Sequence, residues 1–217
     1  MAKAKRAKSV SVLFVGNSFT QRNDLAGLIG AIARQRGISL KHELICAGGA
    51  SLKRHWNAGN AATAIERGEY DYVVLQEQST LPVKSPARMA ESVRMFDAVI
   101  KRSGSKTALY MTWAREHSPG HQQIIADAYN SIGKELRAKV IPVGLAWHAF
   151  ISKHDSSLLY DSDQSHPSVA GSYLAACVFL TVLFRSSPIG IYKLPPGLGA
   201  GLAAEIQRTV WQQCGKR

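Results

Sequence analysis

Four short stretches gather residue types that can carry out nucleophilic chemistry. "LFVGNSFT" (13–20) runs apolar, meets Gly16 and then presents Asn17, Ser18, Phe19 and Thr20. "YDSDQSHPSVAG" (160–171) sets Asp163 three residues before His166, with Pro167 opening an apolar helical segment. A serine hydroxyl attacks a carbonyl only when a base takes its proton and a third group orients that base. In a turn of this spacing the carboxylate folds back onto one imidazole nitrogen and leaves the other for a serine. A developing oxyanion also needs fixed donors. "CAGGAS" (46–51) offers the backbone N–H of Gly49, and "LQEQS" (75–79) offers the side-chain amides of Gln76 and Gln78.

Each stretch alone has a plainer reading. Ser18 suits a helix cap or an anion ligand, Asp163 or Ser165 suits a cap, the glycines suit a turn, and glutamines are ordinary polar residues at a strand end. What separates the two readings is position along the chain.

Short apolar runs recur at 10–16, 39–46, 70–76, 106–113 and 138–144, most of them rich in β-branched or aromatic residues and bounded by turn residues, which predicts strands. Amphipathic segments lie between them at 24–35, 52–66, 88–102 and 122–136, and two more follow at 168–184 and 198–213. Strand and helix alternate, so a parallel sheet covered on both faces by right-handed crossovers is expected. Ligands of such a sheet bind beyond the carboxyl ends of its strands. The residues there are "GNSFT", "AGGAS", "QEQST", "WAREHS" and "GLAWH". The serine, the glycine and the glutamines thus follow the first, second and third strands in turn.

In this order the four stretches resemble the blocks of the SGNH (GDSL-like) hydrolase superfamily, over about residues 10–185. The phrase "DSDQSHPSVAGSYLAACVF" is particularly similar to its last block and helix. The resemblance implies an α/β fold: a flavodoxin-like, three-layer α/β/α sandwich around a central parallel five-stranded sheet. It also implies Ser18 as nucleophile, His166 as base, Asp163 as its orienting partner, and an oxyanion hole of the Ser18 and Gly49 N–H groups with one glutamine. Two positions depart from the pattern. GNS replaces GDS, and "LQEQS" stands where GxND is usual. Carbohydrate O-acetylesterases of the superfamily carry a comparable QGES-type block, which would give Gln76 the role of the missing asparagine; counting along the strand gives Gln78. The implied activity is hydrolysis of short acyl esters, acetyl above all, on a carbohydrate. A lipase or thioesterase of the same superfamily is the alternative, as is a non-catalytic domain that binds glycan or nucleic acid.

Asn17, His55, Trp56 and Trp113 stand near these blocks as candidate substrate-binding residues, the aromatic ones suited either to stacking on a sugar or to ordinary packing. His117 and His121 in "HSPGH" are four apart, but Pro119 and Gly120 between them oppose a regular helix and no third ligand is evident, so no metal is assigned. The implied chemistry requires no cofactor.

Composition limits the partners. Lys and Arg number 27 against 15 Asp and Glu, a net charge of +12, to which Lys3, Lys5, Arg6 and Lys8 contribute four charges. No aromatic-interleaved basic stripe or nucleic-acid motif accompanies that surplus, so a small-molecule or glycan ester is the expected partner. The longest apolar stretch, 169–184, is 16 residues broken by Gly171, Ser172 and Thr181, short of the ~20 that span a bilayer. The start of the chain imitates a signal peptide but lacks a small-x-small cleavage site, and its removal would take the first strand. Cys46, Cys177 and Cys214 have no ligand spacing and read as free thiols, two of them buried. A cytoplasmic protein is expected, with a basic, disordered segment at 1–8 and a single domain at 9–217; the oligomeric state is left open.

Overall fold

The computed structural model describes residues 8–215. The expectation of disorder at 1–8 therefore lies outside the described residues, except at Lys8, which is the first residue of β1.

The chain runs β1 (Lys8–Gly16), α1 (Ser18–Gln21), α2 (Leu25–Arg34), β2 (Ile38–Cys46), α3 (Leu52–Ala58), α4 (Asn60–Glu66) and β3 (Tyr72–Leu75). It continues with α5 (Leu81–Lys84), α6 (Pro86–Arg102), β4 (Lys106–Tyr110), α7 (His121–Leu136), β5 (Lys139–Ile141), α8 (Val143–Ile151), α9 (Val169–Val182) and α10 (Ala200–Cys214). All strand pairs are parallel, in the order β2-β1-β3-β4-β5.

The centre of β1 shows why the sheet is a middle layer. Val12, Phe14 and, further back, Val10 join one core with α2, α8, α9 and α10, while Leu13 and Val15 join a second core with α3, α4, α6 and α7. Successive side chains of a strand point to opposite faces, so an unbroken apolar run fits a strand that is buried on both. The result is the α/β/α sandwich expected from the sequence.

The strand order also creates the crevice. After β1 the chain leaves toward the first core through α2, whereas after β3 it leaves toward the second through α6. Connections that diverge from adjacent strands open a gap at their carboxyl ends, the topological switch point of an open α/β sheet.

Helices α1, α5 and α8 are not expected from the sequence, and three expected elements differ in extent. The helix expected at 52–66 is two helices, because Gly59 (φ +79°) takes the left-handed conformation that terminates α3. The fourth strand ends at Tyr110 and the fifth at Ile141. Pro142 lacks an N–H to continue the ladder, and "GLAWH" lies inside α8, whose Val143, Ala146, Trp147 and Phe150 face the core. A Cβ on Gly144 would sit 2.1 Å from the Thr112 carbonyl oxygen, so α8 packs directly on the backbone beyond β4.

Helix α9 is apolar on every side because it is enclosed on every side, from Ala170 to Thr181. No helix among the described residues is long and apolar enough to cross a membrane. Cys177 and Cys214 are buried and Cys46 half-buried; burial pushes the Cys46 thiol up to about 11 and Cys177 up to about 12.

Candidate active site

The end of β1 is held from three sides. A Cβ on Gly16 would lie 2.5 Å from Thr20 Oγ1 and 2.7 Å from Gln76 Oε1, so only glycine lets the strand close on these groups. Asn17 is buried; its N–H donates to Gln76 Oε1 (2.9 Å) and its Nδ2 donates to the Ala50 carbonyl (3.1 Å). Its Oδ1 accepts from Phe19 N (3.1 Å) and so caps α1. His55 Nε2 donates to the Gly16 carbonyl (2.7 Å); burial disfavours its charged form and holds the imidazole below its ordinary value. These contacts fix the turn that leaves Ser18 half-exposed at the crevice.

The candidate base comes from a segment 148 residues further along the chain. Ser18 Oγ lies 2.8 Å from His166 Nε2, and His166 Nδ1 bonds Asp163 Oδ2. Because a carboxylate only accepts, the pattern puts the ring proton on Nδ1 and leaves the Nε2 lone pair facing the hydroxyl. Asp163 Oδ1 accepts from the backbone N–H of His166 (2.8 Å) and Ser165 (3.0 Å). Desolvation pushes this carboxyl upward, but the hydrogen bonds from the His166 ring and from the two N–H groups outweigh it and bring it down to about 2. The arrangement can take a proton from Ser18 and stabilise the imidazolium that results.

This loop is fastened by groups that neither the spacing nor the charge pattern singles out. Asn23 adopts φ +54° and its Nδ2 donates to the Pro167 carbonyl (3.0 Å), the Ser168 carbonyl (3.1 Å) and Ser172 Oγ (2.9 Å). Trp113 Nε1 donates to the Ser165 carbonyl (3.1 Å). The sequence signal for Asn23 is the Asn-Asp pair between α1 and α2, residue types that tolerate the left-handed region.

Gly49 is the third residue of the Ala47–Ala50 turn, at φ +62°, exposed and with open space where a Cβ would be. Among the described residues, the N–H groups of Ser18 and Gly49 have no hydrogen-bond partner and so are free to meet an oxyanion. The two glutamines part company. Gln76 is wholly buried; its Oε1 accepts from Asn17 N and Thr20 Oγ1, and its Nε2 donates to the Glu77 carbonyl. Its Nε2 keeps a second N–H, but on a wholly buried side chain, so it presents no exposed donor. Gln78 is half-exposed, its Oε1 accepts from Thr80 N, Thr80 Oγ1 and Leu81 N, and its Nε2 has no partner among the described residues. A carbonyl fixed by three donors aims the opposite NH2 of the same planar group away from them.

Between them lies Glu77, which the sequence reading passed over. It is completely buried, and its Oε1 accepts from Leu52 N (3.0 Å) and Gln78 N (2.6 Å), tying the start of α3 to the end of β3. Burial pushes its carboxyl up to about 6. An acidic residue just after a run of buried apolar ones was its signal.

The candidate substrate-binding residues each take part in the framework around the crevice. Asn17 and His55 are used as described above. Trp113 is buried, stacked on Phe19 (4.8 Å between centroids) and on Trp147 (3.9 Å). Trp56 packs edge-on against Phe96 in the second core. Turn polar groups and core faces engage these side chains, while Trp56 stays half-exposed. Among the described residues, no group of three His, Cys, Asp or Glu is placed to hold a metal ion.

No protein-family profile and no curated protein sequence matches the chain. Solved structures do. A candidate SGNH hydrolase from Slackia heliotrinireducens is 26% identical, with a TM-score of 0.69 over 81% of this chain and 100% of that one. A DUF4886 family protein from Bacteroides uniformis is 20% identical, with a TM-score of 0.76 over 94% of each chain. A variant of an acetyl-xylooligosaccharide esterase from Geobacillus is 17% identical, with a TM-score of 0.63 over 82% of this chain and 96% of that one.

Proposed function

We propose, from the SGNH (GDSL-like) hydrolase fold that this chain shares with those structures, that it is a serine esterase removing short acyl groups from a carbohydrate ester, acetyl above all. The observation that carries the reading is the unbroken line from Ser18 Oγ through the His166 ring to Asp163. Likeness in fold to an acetyl-xylooligosaccharide esterase supports the acetyl and carbohydrate part of it.

In this mechanism Ser18 Oγ attacks the ester carbonyl as His166 Nε2 takes its proton, and Asp163 stabilises the imidazolium. The carbonyl oxygen gathers negative charge toward the N–H groups of Ser18 and Gly49 and the Gln78 amide. His166 then protonates the departing alcohol, leaving the acyl group on Ser18. Water, deprotonated by the same nitrogen, releases the acid and restores the hydroxyl.

The test is hydrolysis of p-nitrophenyl esters of increasing chain length by the wild type and by Ser18→Ala, with fluorophosphonate labelling mapped by mass spectrometry. Label on Ser18, loss of turnover in the variant and a maximum at acetate are expected. A maximum at long chains would replace the acetylesterase with a lipase or thioesterase. No label on Ser18, with the variant as active as wild type, would remove the esterase reading altogether.

A further inference from the structure

Beside the Ser18 crevice, the segments that follow β3 and β4 enclose a cavity of about 200 Å³. Val83, Ala114 and Ile125 give it an apolar wall, and Lys84, Arg115, His117 and His121 also line it. The "HSPGH" histidines thus find a common place that a metal site did not give them.

None of the lining residues is acidic. Among the described residues, neither Lys84 nor Arg115 has an ion-pair partner, whereas Arg22, Arg94 and Lys101 are matched by Asp161, Glu135 and Asp97. Glu116, the one carboxylate next to Arg115 in sequence, is drawn away and accepts from Ser156 Oγ (2.6 Å). Two exposed cations and two exposed imidazoles therefore stand around an apolar hollow without a counter-charge. A carboxylate at its rim would meet donors of opposite charge, while the apolar wall takes the rest of the molecule.

The cavity is also joined to the reacting centre. Ser79 and Thr80 of its lining follow Gln78, and Ala114 follows Trp113, whose ring lies on Phe19 beside Ser18. Ser18 follows β1 and the segment carrying Arg115 follows β4, two places away in the sheet, where strand axes are roughly 10 Å apart. One sugar-sized molecule spans that distance.

We propose that this cavity is a subsite for a carboxylate carried by the ester, so that acidic esters, an O-acylated uronic acid among them, are the preferred substrate class. The inference rests on the esterase reading for its kinetic consequences, while the binding itself does not depend on turnover. Arg115 and Lys84 hold the carboxylate, with His117 and His121 as further donors.

Two matched pairs locate the charge. p-Acetoxybenzoate against its methyl ester places it on the alcohol side, and p-nitrophenyl hemisuccinate against p-nitrophenyl butyrate places it on the acyl side. In one pair the charged member should have a kcat/KM about tenfold higher, expressed in KM, and Lys84→Ala/Arg115→Ala should erase the preference. Turnover of p-nitrophenyl acetate should be unchanged in that variant. Independently, p-hydroxybenzoate and succinate are titrated against the wild type while the His117 and His121 imidazole resonances are followed. Saturable shifts with either anion, absent for its methyl ester and in the double variant, are expected. Equal kcat/KM within both pairs and no saturable shift would overturn the subsite while Ser18-dependent hydrolysis still stood. Without any hydrolysis, the titration alone decides the subsite, and the esterase reading fails separately.

Discussion

Gln76 and Gln78 are two residues apart at the end of one strand, and their side chains do opposite things. Replacing Gln76 with alanine strands the Asn17 N–H in a buried site; a loss of about 1–3 kcal/mol in urea unfolding is expected. Gln78→Ala should leave unfolding unchanged and lower kcat by about two orders of magnitude, the usual consequence of deleting one oxyanion donor. Glu77 adds a pH signature. Its folded carboxyl, near 6, stands above its ordinary value of 4.5, so the folded state binds the extra proton. The stability this gives is complete below pH 4.5 and is lost as pH rises through 6. Glu77→Gln keeps an acceptor for Leu52 and Gln78 without the charge, and should become more stable relative to wild type by about 2 kcal/mol between pH 4 and pH 8. Denaturant titrations at the two pH values check this. Much of the candidate site's geometry was legible because Ser18, Gly49 and the Asp163–His166 pair are local patterns placed after strands. Which glutamine is free was not: residues i and i+2 of a strand share a face, and only the approach of Asn17 and Thr20, from 50 or more residues away, distinguishes them.

At the scale of elements, the link between the two halves of the centre is Asn23, which bonds the start of α9 from the turn before α2. Asn23→Gly preserves the left-handed backbone and removes the bonds; Asn23→Ala removes both. The alanine variant should therefore be less stable than the glycine variant by about 1 kcal/mol. Both should be labelled by fluorophosphonate more slowly than wild type, because the His166 loop has lost its tether. Helices α6 and α7 were readable from their apolar stripes, since each packs one side on the sheet. The break at Gly59 and the helix α8 were not. An isolated glycine is tolerated within a helical pattern, and the apolar run entering α8 continues that of a strand without a polar interruption.

Across the whole molecule, the packing around α9 joins the centre to the first core. Gly171 faces the Leu159 carbonyl and the Trp147 ring, where an added Cβ would come within 2.3 Å and 2.5 Å. Trp147 in turn stacks on Trp113, and Trp113 on Phe19. Gly171→Ala should lower stability by about 1–3 kcal/mol through overpacking, measured by urea unfolding, and should disturb Ser18 reactivity through that column of rings. The two-sided sheet was legible in the alternation of runs, whereas this column joins residues of four separate segments. The 148-residue interval between Ser18 and His166 has a consequence for biosynthesis. The candidate nucleophile leaves the ribosome before β2, β3, β4 and β5 and waits, inert, while they are translated. A nascent or prematurely terminated chain ending before residue 163 carries the serine, the glycine and both glutamines but neither Asp163 nor His166, so the proposed hydrolysis begins only once that loop has been made.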